Sequence, residues 1–151
     1  MKIQKILDVK GSAEVCAIPS SATLTELVKE LTERNIGAML VADKEGEPSG
    51  IVSERDVVRQ CSKNLDFDGV TVSEIMTPNV VMAHPEDDSS VAVELMVTRN
   101  IRHLPVISDG RIHGLITVRD LMRAMRQADK EEVNKLVEYL QESIAERKTT
   151  G

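Results

Sequence analysis

Aromatic side chains are almost missing from this chain: its 151 residues include one tyrosine, one phenylalanine and no tryptophan. Proteins that hold nucleic acid combine stacking aromatics with excess positive charge. A chain without stacking platforms and with a formal charge of −6 is a poor nucleic-acid binder. Cysteine is equally scarce. Cys16 and Cys61 stand alone among ordinary aliphatics, which excludes a disulfide framework and suits reduced thiols in a cytoplasmic protein. No apolar run approaches the roughly 20 residues needed to cross a bilayer. The opening Met1-Lys2-Ile3-Gln4-Lys5-Ile6 has no signal-peptide core. Neither His84 nor His113 has a partner at ligand spacing, so no metal is expected.

What is present is a repeat. Gly50-Ile51-Val52-Ser53-Glu54-Arg55-Asp56 returns as Gly114-Leu115-Ile116-Thr117-Val118-Arg119-Asp120. Both copies read glycine, two aliphatics, a hydroxyl residue, a spacer, arginine and aspartate. Upstream, Asn35-Ile36-Gly37-Ala38-Met39-Leu40-Val41 matches Asn100-Ile101-Arg102-His103-Leu104-Pro105-Val106, and Cys16-Ala17-Ile18-Pro19 matches Met82-Ala83-His84-Pro85. The one-residue difference in spacing falls between Lys44–Ser49 and Asp109–His113. Gly46 with Pro48, and Asp109-Gly110, mark these stretches as hairpin loops, where length changes are tolerated. The chain is therefore an internal duplication.

Each copy reads as strand, helix, strand, strand, helix. In the first, Thr23-Leu24-Thr25-Glu26 is a capping box, and Leu24, Leu27, Val28 and Leu31 share one helix face. In the second, Asp88 is the N-cap of a helix that turns Ala92, Leu95 and Met96 inward. Strands are expected over Ala38–Ala42, Gly50–Val52, Leu104–Ile107 and Ile112–Ile116, with closing helices capped by Ser53 and Thr117. Units of this size are too small for a sturdy core each, so the two are expected to share one. The expected domains are residues 1–66, 67–127 and a C-terminal segment 128–151. Residues Ile3 to Val9 read as a short apolar helix or turn packing on the opposite unit, echoing Val72–Met76.

Two explanations compete for the motif. Ser53 with Asp56, and Thr117 with Asp120, are capping arrangements contributing about 1 kcal/mol each. Arg55 and Arg119 fit that explanation badly, because a cation in the first turn opposes the helix dipole. It makes sense facing an anion, which a helix N-terminus also favours and which arginine grips bidentately.

The duplicated motif, the Ile-Arg-His-Leu-Pro-Val block and the linker Val72-Ser73-Glu74-Ile75-Met76-Thr77-Pro78 together resemble the CBS-domain pair, named for cystathionine β-synthase. The resemblance runs from Ile3 to about Gln127. It implies an α/β fold of two tandem β-α-β-β-α units, packed through their sheets with pseudo-two-fold symmetry. It also implies a regulatory module that binds AMP, ADP, ATP or NAD in clefts between the units, senses energy or redox state, and signals to an effector protein. S-adenosylmethionine is the alternative ligand, and a structural dimerisation module with a non-signalling pocket the alternative role. By the resemblance, Asp56 and Asp120 accept from ribose hydroxyls, while Ser53 and Thr117 contact ribose or phosphate. Arg55, Arg102, His103 and Arg119 face phosphate. Ile18 and Ala83 offer an apolar slot and backbone groups for adenine, and Pro105 is counted among the ligand-binding residues. Arg102, His103 and Arg119 are grouped with the second motif, making it the more cationic site. Ordinary strand packing remains open for Ile18 and Ala83, and a surface position for His103.

An enzyme is not expected, because His103, Asp120 and Glu54 form no set of nucleophile, base and orienting group by sequence. The tail places Val133, Leu136, Val137, Leu140 and Ile144 on one helical stripe, which either folds back over its own sheets or, the preferred reading, packs on a second copy in a homodimer. Lys148 to Gly151 are expected to fray.

Overall fold

The computed structural model describes residues 1–11, 15–44, 48–63 and 65–149. Along the chain run α1 (Ile3–Lys10), β1 (Ala17–Ile18), α2 (Leu24–Arg34), β2 (Ala38–Val41), β3 (Gly50–Ser53), α3 (Glu54–Cys61), α4 (Val72–Ile75), β4 (Thr77–Pro78), α5 (Ser89–Thr98), β5 (His103–Ser108), β6 (Arg111–Thr117) and α6 (Val118–Thr149). The first sheet has the order β1-β2-β3-β4, with β1 parallel to β2 and the other pairs antiparallel. In the second sheet β5 and β6 pair antiparallel from His103 opposite Thr117 to Ser108 opposite Arg111. This is the expected mixed α/β duplication.

Local chemistry explains the repeated residues. Asn35 and Asn100 both adopt left-handed conformations, φ 52° and 51°. Each ends its helix and lets the following isoleucine N–H bond back to a helical carbonyl, Leu31 or Met96. Asp109 and Gly110, at φ 52° and 69°, form the two-residue hairpin turn expected from an Asp-Gly pair. The corresponding Gly46 lies outside the described residues. The capping box closes as read: Thr23 N–H donates to Glu26 Oε2 at 2.9 Å and Glu26 N–H to Thr23 Oγ1 at 3.2 Å.

The first strand of the second unit shrinks to one bridge, Ala83 to Val106. In the first unit Leu40 and Ala42 donate to the carbonyls of Cys16 and Ile18. In the second, Ile107 N–H donates to Ala83, but the counterpart of Leu40 is Pro105, which has no N–H.

A shared core is not what forms. One buried cluster holds Ile18, Leu24, Leu27, Leu31, Met39, Val41, Val52 and Val72. The other holds Ile3, Ile6, Ala83, Ala92, Met96, Leu104, Val106 and Ile116. Each unit completes its small core with a helix from outside its own repeat. Val72 of α4 enters the first core, and Ile3 and Ile6 of α1 enter the second. Matching bridges tie them down, Thr71 to Thr23 and Lys2 to Asp88. The strand pleat sends Met39 and Val41 into the first core, while Ala38 and Leu40, also buried, face the second unit.

No break follows Gln127. The helix α6 runs 32 residues to Thr149, because Val118–Thr149 contains no glycine or proline and is rich in strong helix formers. Of the stretch expected to fray, Lys148 and Thr149 are helical, and residues 150 and 151 lie outside the described set. Along this helix Val133, Leu136, Val137 and Leu140 are 59, 58, 45 and 51% exposed, so the stripe does not fold back on its own sheets. The side chain of Ile144 lies outside the described residues. No described helix is long and apolar enough to cross a membrane.

Candidate functional site

Where β3 gives way to α3, the chain turns at Ser53. Asp56, three residues on, is 9% exposed. Its Oδ2 accepts from Ser53 N–H at 2.8 Å and from Ser53 Oγ at 3.2 Å, fixing the carboxylate against the helix start. Its Oδ1 is left with the Arg59 guanidinium at 3.8 Å, an exposed and therefore weak ion pair. Beside it opens a cavity of about 370 Å³, lined by Gly37, Ile51, Ser53, Glu54, Arg55, Asp56, Arg59, Thr77 and Arg99 to His103. That volume falls in the range of small-molecule sites, about 300–1,000 Å³. Arg55, Arg59, Arg99 and Arg102 all line this one cavity, against Glu54 and Asp56.

The second motif builds the same turn. Thr117 N–H and Oγ1 both reach Asp120 Oδ2 at 2.9 Å, and Asp120 N–H donates to Thr117 Oγ1 at 3.2 Å. Its cavity is smaller, about 280 Å³, lined in part by Lys10, Cys16, Ile36, Gly37, Ala38, Leu40, His103, Leu115, Thr117, Arg119 and Asp120. Lys10 Nζ donates to Asp120 Oδ2 at 3.0 Å and to the Leu115 carbonyl at 2.5 Å. Burial works to raise the Asp120 pKa, but the Lys10 ammonium and the two Thr117 donors outweigh it and hold the carboxyl below its ordinary value.

His103 lines both cavities. Burial chiefly lowers its pKa, with Lys10 and Arg102 adding to that and Glu54 and Asp120 opposing. The shift favours the neutral imidazole, a hydrogen-bonding group, over the extra cation the sequence suggests.

Three expectations about placement are corrected. Arg102 lines the first motif's cavity, not the second's, because the units pack with the start of β5 against the N-terminus of α3. Ile18 and Ala83 are 4% exposed and lie in the two apolar cores, lining neither cavity; their inward orientation follows from the strand pleat. Pro105 is buried in β5 and its carbonyl accepts from Ala83 N–H. It lines neither cavity. Ser53, Arg55, Asp56 and His103 do meet in the first cavity, and Thr117, Arg119 and Asp120 in the second. Sequence reasoning missed Arg59, Arg99, Thr77 and Lys10. For Arg59 a signal existed, since it lies one helical turn after Arg55 and Asp56. Lys10 gave none, being brought to Asp120 by tertiary packing alone.

A family model for the CBS domain matches residues 8–63 and again 72–127. The chain belongs to the CBS-domain family. It is 34% identical over 116 residues to an uncharacterised 17.7 kDa protein of Acidianus ambivalens, an alignment covering 76% of this chain and 70% of that protein. Other relatives are longer: the chain spans 53% of one from Methanopyrus kandleri and 60% of a mitochondrial CBS protein from Arabidopsis thaliana. Among solved structures, the CBS-domain pair of protein MJ0100, in complex with 5-methylthioadenosine and S-adenosyl-L-methionine, superposes with a TM-score of 0.74. It is 27% identical, and the match covers 85% of this chain and 98% of that one. A CBS protein from Pyrobaculum aerophilum complexed with AMP gives 0.70 at 28% identity, covering 80% and 89%. Among the described residues, no group of His, Cys, Asp and Glu is gathered where it could hold a metal ion.

Proposed function

We propose that this CBS pair binds an anionic adenine nucleotide in the cavity at Asp56 and passes its occupancy to a partner protein. The observation that carries the reading is the pairing of a buried, pre-oriented carboxylate with four arginines lining the same cavity, two from α3 and two from the segment between α5 and β5. Asp56 Oδ1 has acceptor capacity for ribose hydroxyls, and the arginines suit phosphate. Ile51 and Ile101 leave an apolar stretch for the purine. The complexes of the two solved relatives, one with AMP and one with adenosine-derived sulfur compounds, support the adenosine part. The arginines favour AMP, ADP, ATP or NAD over S-adenosylmethionine, whose sulfonium they would repel. The module is read as regulatory rather than catalytic, and as cytoplasmic.

The test is a ligand panel. AMP at a hundredfold excess over its Kd should stabilise the fold by about 2.7 kcal/mol, read as a raised melting temperature. Affinity should rise from adenosine to AMP and fall with added salt. No response to AMP, ADP, ATP, NAD or S-adenosylmethionine at millimolar concentration would end the nucleotide reading, leaving a structural dimerisation module.

The exposed stripe Val133 to Leu140 fits a homodimer in which copies cover one another's helices. Light scattering at micromolar concentration should give twice the chain mass. A monomer there would contradict the dimer.

A further inference from the structure

The two motifs are alike in sequence but not in occupancy, and the cause lies in the helices that precede them. Leu7 of α1 stands over Gly114, and Met76 just after α4 stands over Gly50. A Cβ on either glycine would come within 2.7 Å of the side chain above it. Leu7 and Met76 are thus equivalent positions in the duplication. Beyond them the chains part. Pro78 disfavours helix at the residue before it, so α4 stops and the chain pairs along β3 as β4, with Ile51 opposite Thr77. The position of Pro78 is held in the first copy by Val9, and α1 continues to Lys10. That extra turn carries the Lys10 ammonium to Asp120 Oδ2 and the Leu115 carbonyl. At the first motif the corresponding space is lined by Thr77, and the cation near Asp56 is the exposed Arg59 at 3.8 Å, a longer and weaker pair than Lys10 makes with Asp120.

We infer that Lys10 is the resident occupant of the second motif, so that the chain takes up nucleotide first at Asp56 and fills the Asp120 site only by expelling its own lysine. This rests on the nucleotide reading above and adds which site is used. Lys10 holds Asp120 Oδ2, the oxygen that both Thr117 donors also use, and its side chain lines the cavity. A ribose whose two hydroxyls take both carboxylate oxygens exchanges that charge-assisted bond for a neutral one. Lys10 is 22% exposed and Asp120 10%, so water screens the pair only in part. An internal competitor lowers apparent affinity by the fraction of time the site is free; if Lys10 is out a tenth of the time, the loss is about tenfold.

Calorimetric titration with AMP decides this on the full chain. Wild type should give one strong site, with the second at least about tenfold weaker. Lys10→Met keeps an unbranched apolar side chain and removes the ammonium that reaches Asp120 and the Leu115 carbonyl. It should raise the second site at least about tenfold, and adding Asp120→Ala should abolish that gain. Equal filling of both sites by wild type would overturn the inference. So would a Lys10→Met protein with unchanged stoichiometry and affinities. If neither protein binds any nucleotide, the reading of the Asp56 cavity falls first and this inference with it.

Discussion

Replacing Ile6 with alanine is expected to destabilise the protein by about 2–5 kcal/mol, the usual cost of removing a large aliphatic from a packed core. The residue lies in an N-terminal helix outside either repeat, where a surface role would be the ordinary assumption. Yet Ile6 is 1% exposed and packs in the cluster with Leu104, Val106 and Ile116, about a hundred positions away in the chain. The second unit has too few residues to close that core alone, so the hole would stay open. Urea denaturation of Ile6→Ala beside Val58→Ala, a 68% exposed aliphatic, isolates the effect. The second variant should stay within about 0.5 kcal/mol of wild type. A cost below about 1 kcal/mol for Ile6→Ala would mean that α1 is an appendage.

The second large effect is on binding. Asp56→Ala should weaken AMP by about 1.5–3 kcal/mol, about ten- to 150-fold, because a buried charged acceptor is lost. The fold should lose about 1 kcal/mol, since the same carboxylate caps α3. A variant that binds AMP normally but melts much lower would reduce Asp56 to a cap. Asp120→Ala should affect AMP affinity far less while Lys10 fills that site, although it leaves the lysine half-buried without its carboxylate.

Much of this was legible in the residues. The duplication, the two caps, the Asp-Gly hairpin and the docking of α1 on the opposite unit all rest on short-range chemistry or on a pattern that repeats. What was not legible depends on how the units face each other. Arg102 reads as part of the second motif because it is close to it in sequence, but the packing aims it at the first. Ile18 and Ala83 read equally as adenine slot or as core, and only the pleat decides. The partition into two cores is hidden in the sequence because unit size alone does not show the helix each unit borrows. The helical tail is legible, but its join to the unit's closing helix as one α6 is not, because the repeat ends near Gln127 although the helical signal does not.

The crossing of α1 and α4 sets an order for the nascent chain. The first core can close once Val72 has left the ribosome. The second requires Ile3 and Ile6 to wait until Leu104, Ile116 and Leu121, far later in the chain, exist. Contacts of such sequence separation fold slowly, since loop closure must precede their reward. Until those residues emerge, the apolar face of α1 has no home. In that interval the growing chain is exposed to wrong pairings with other molecules, and chaperones have a target.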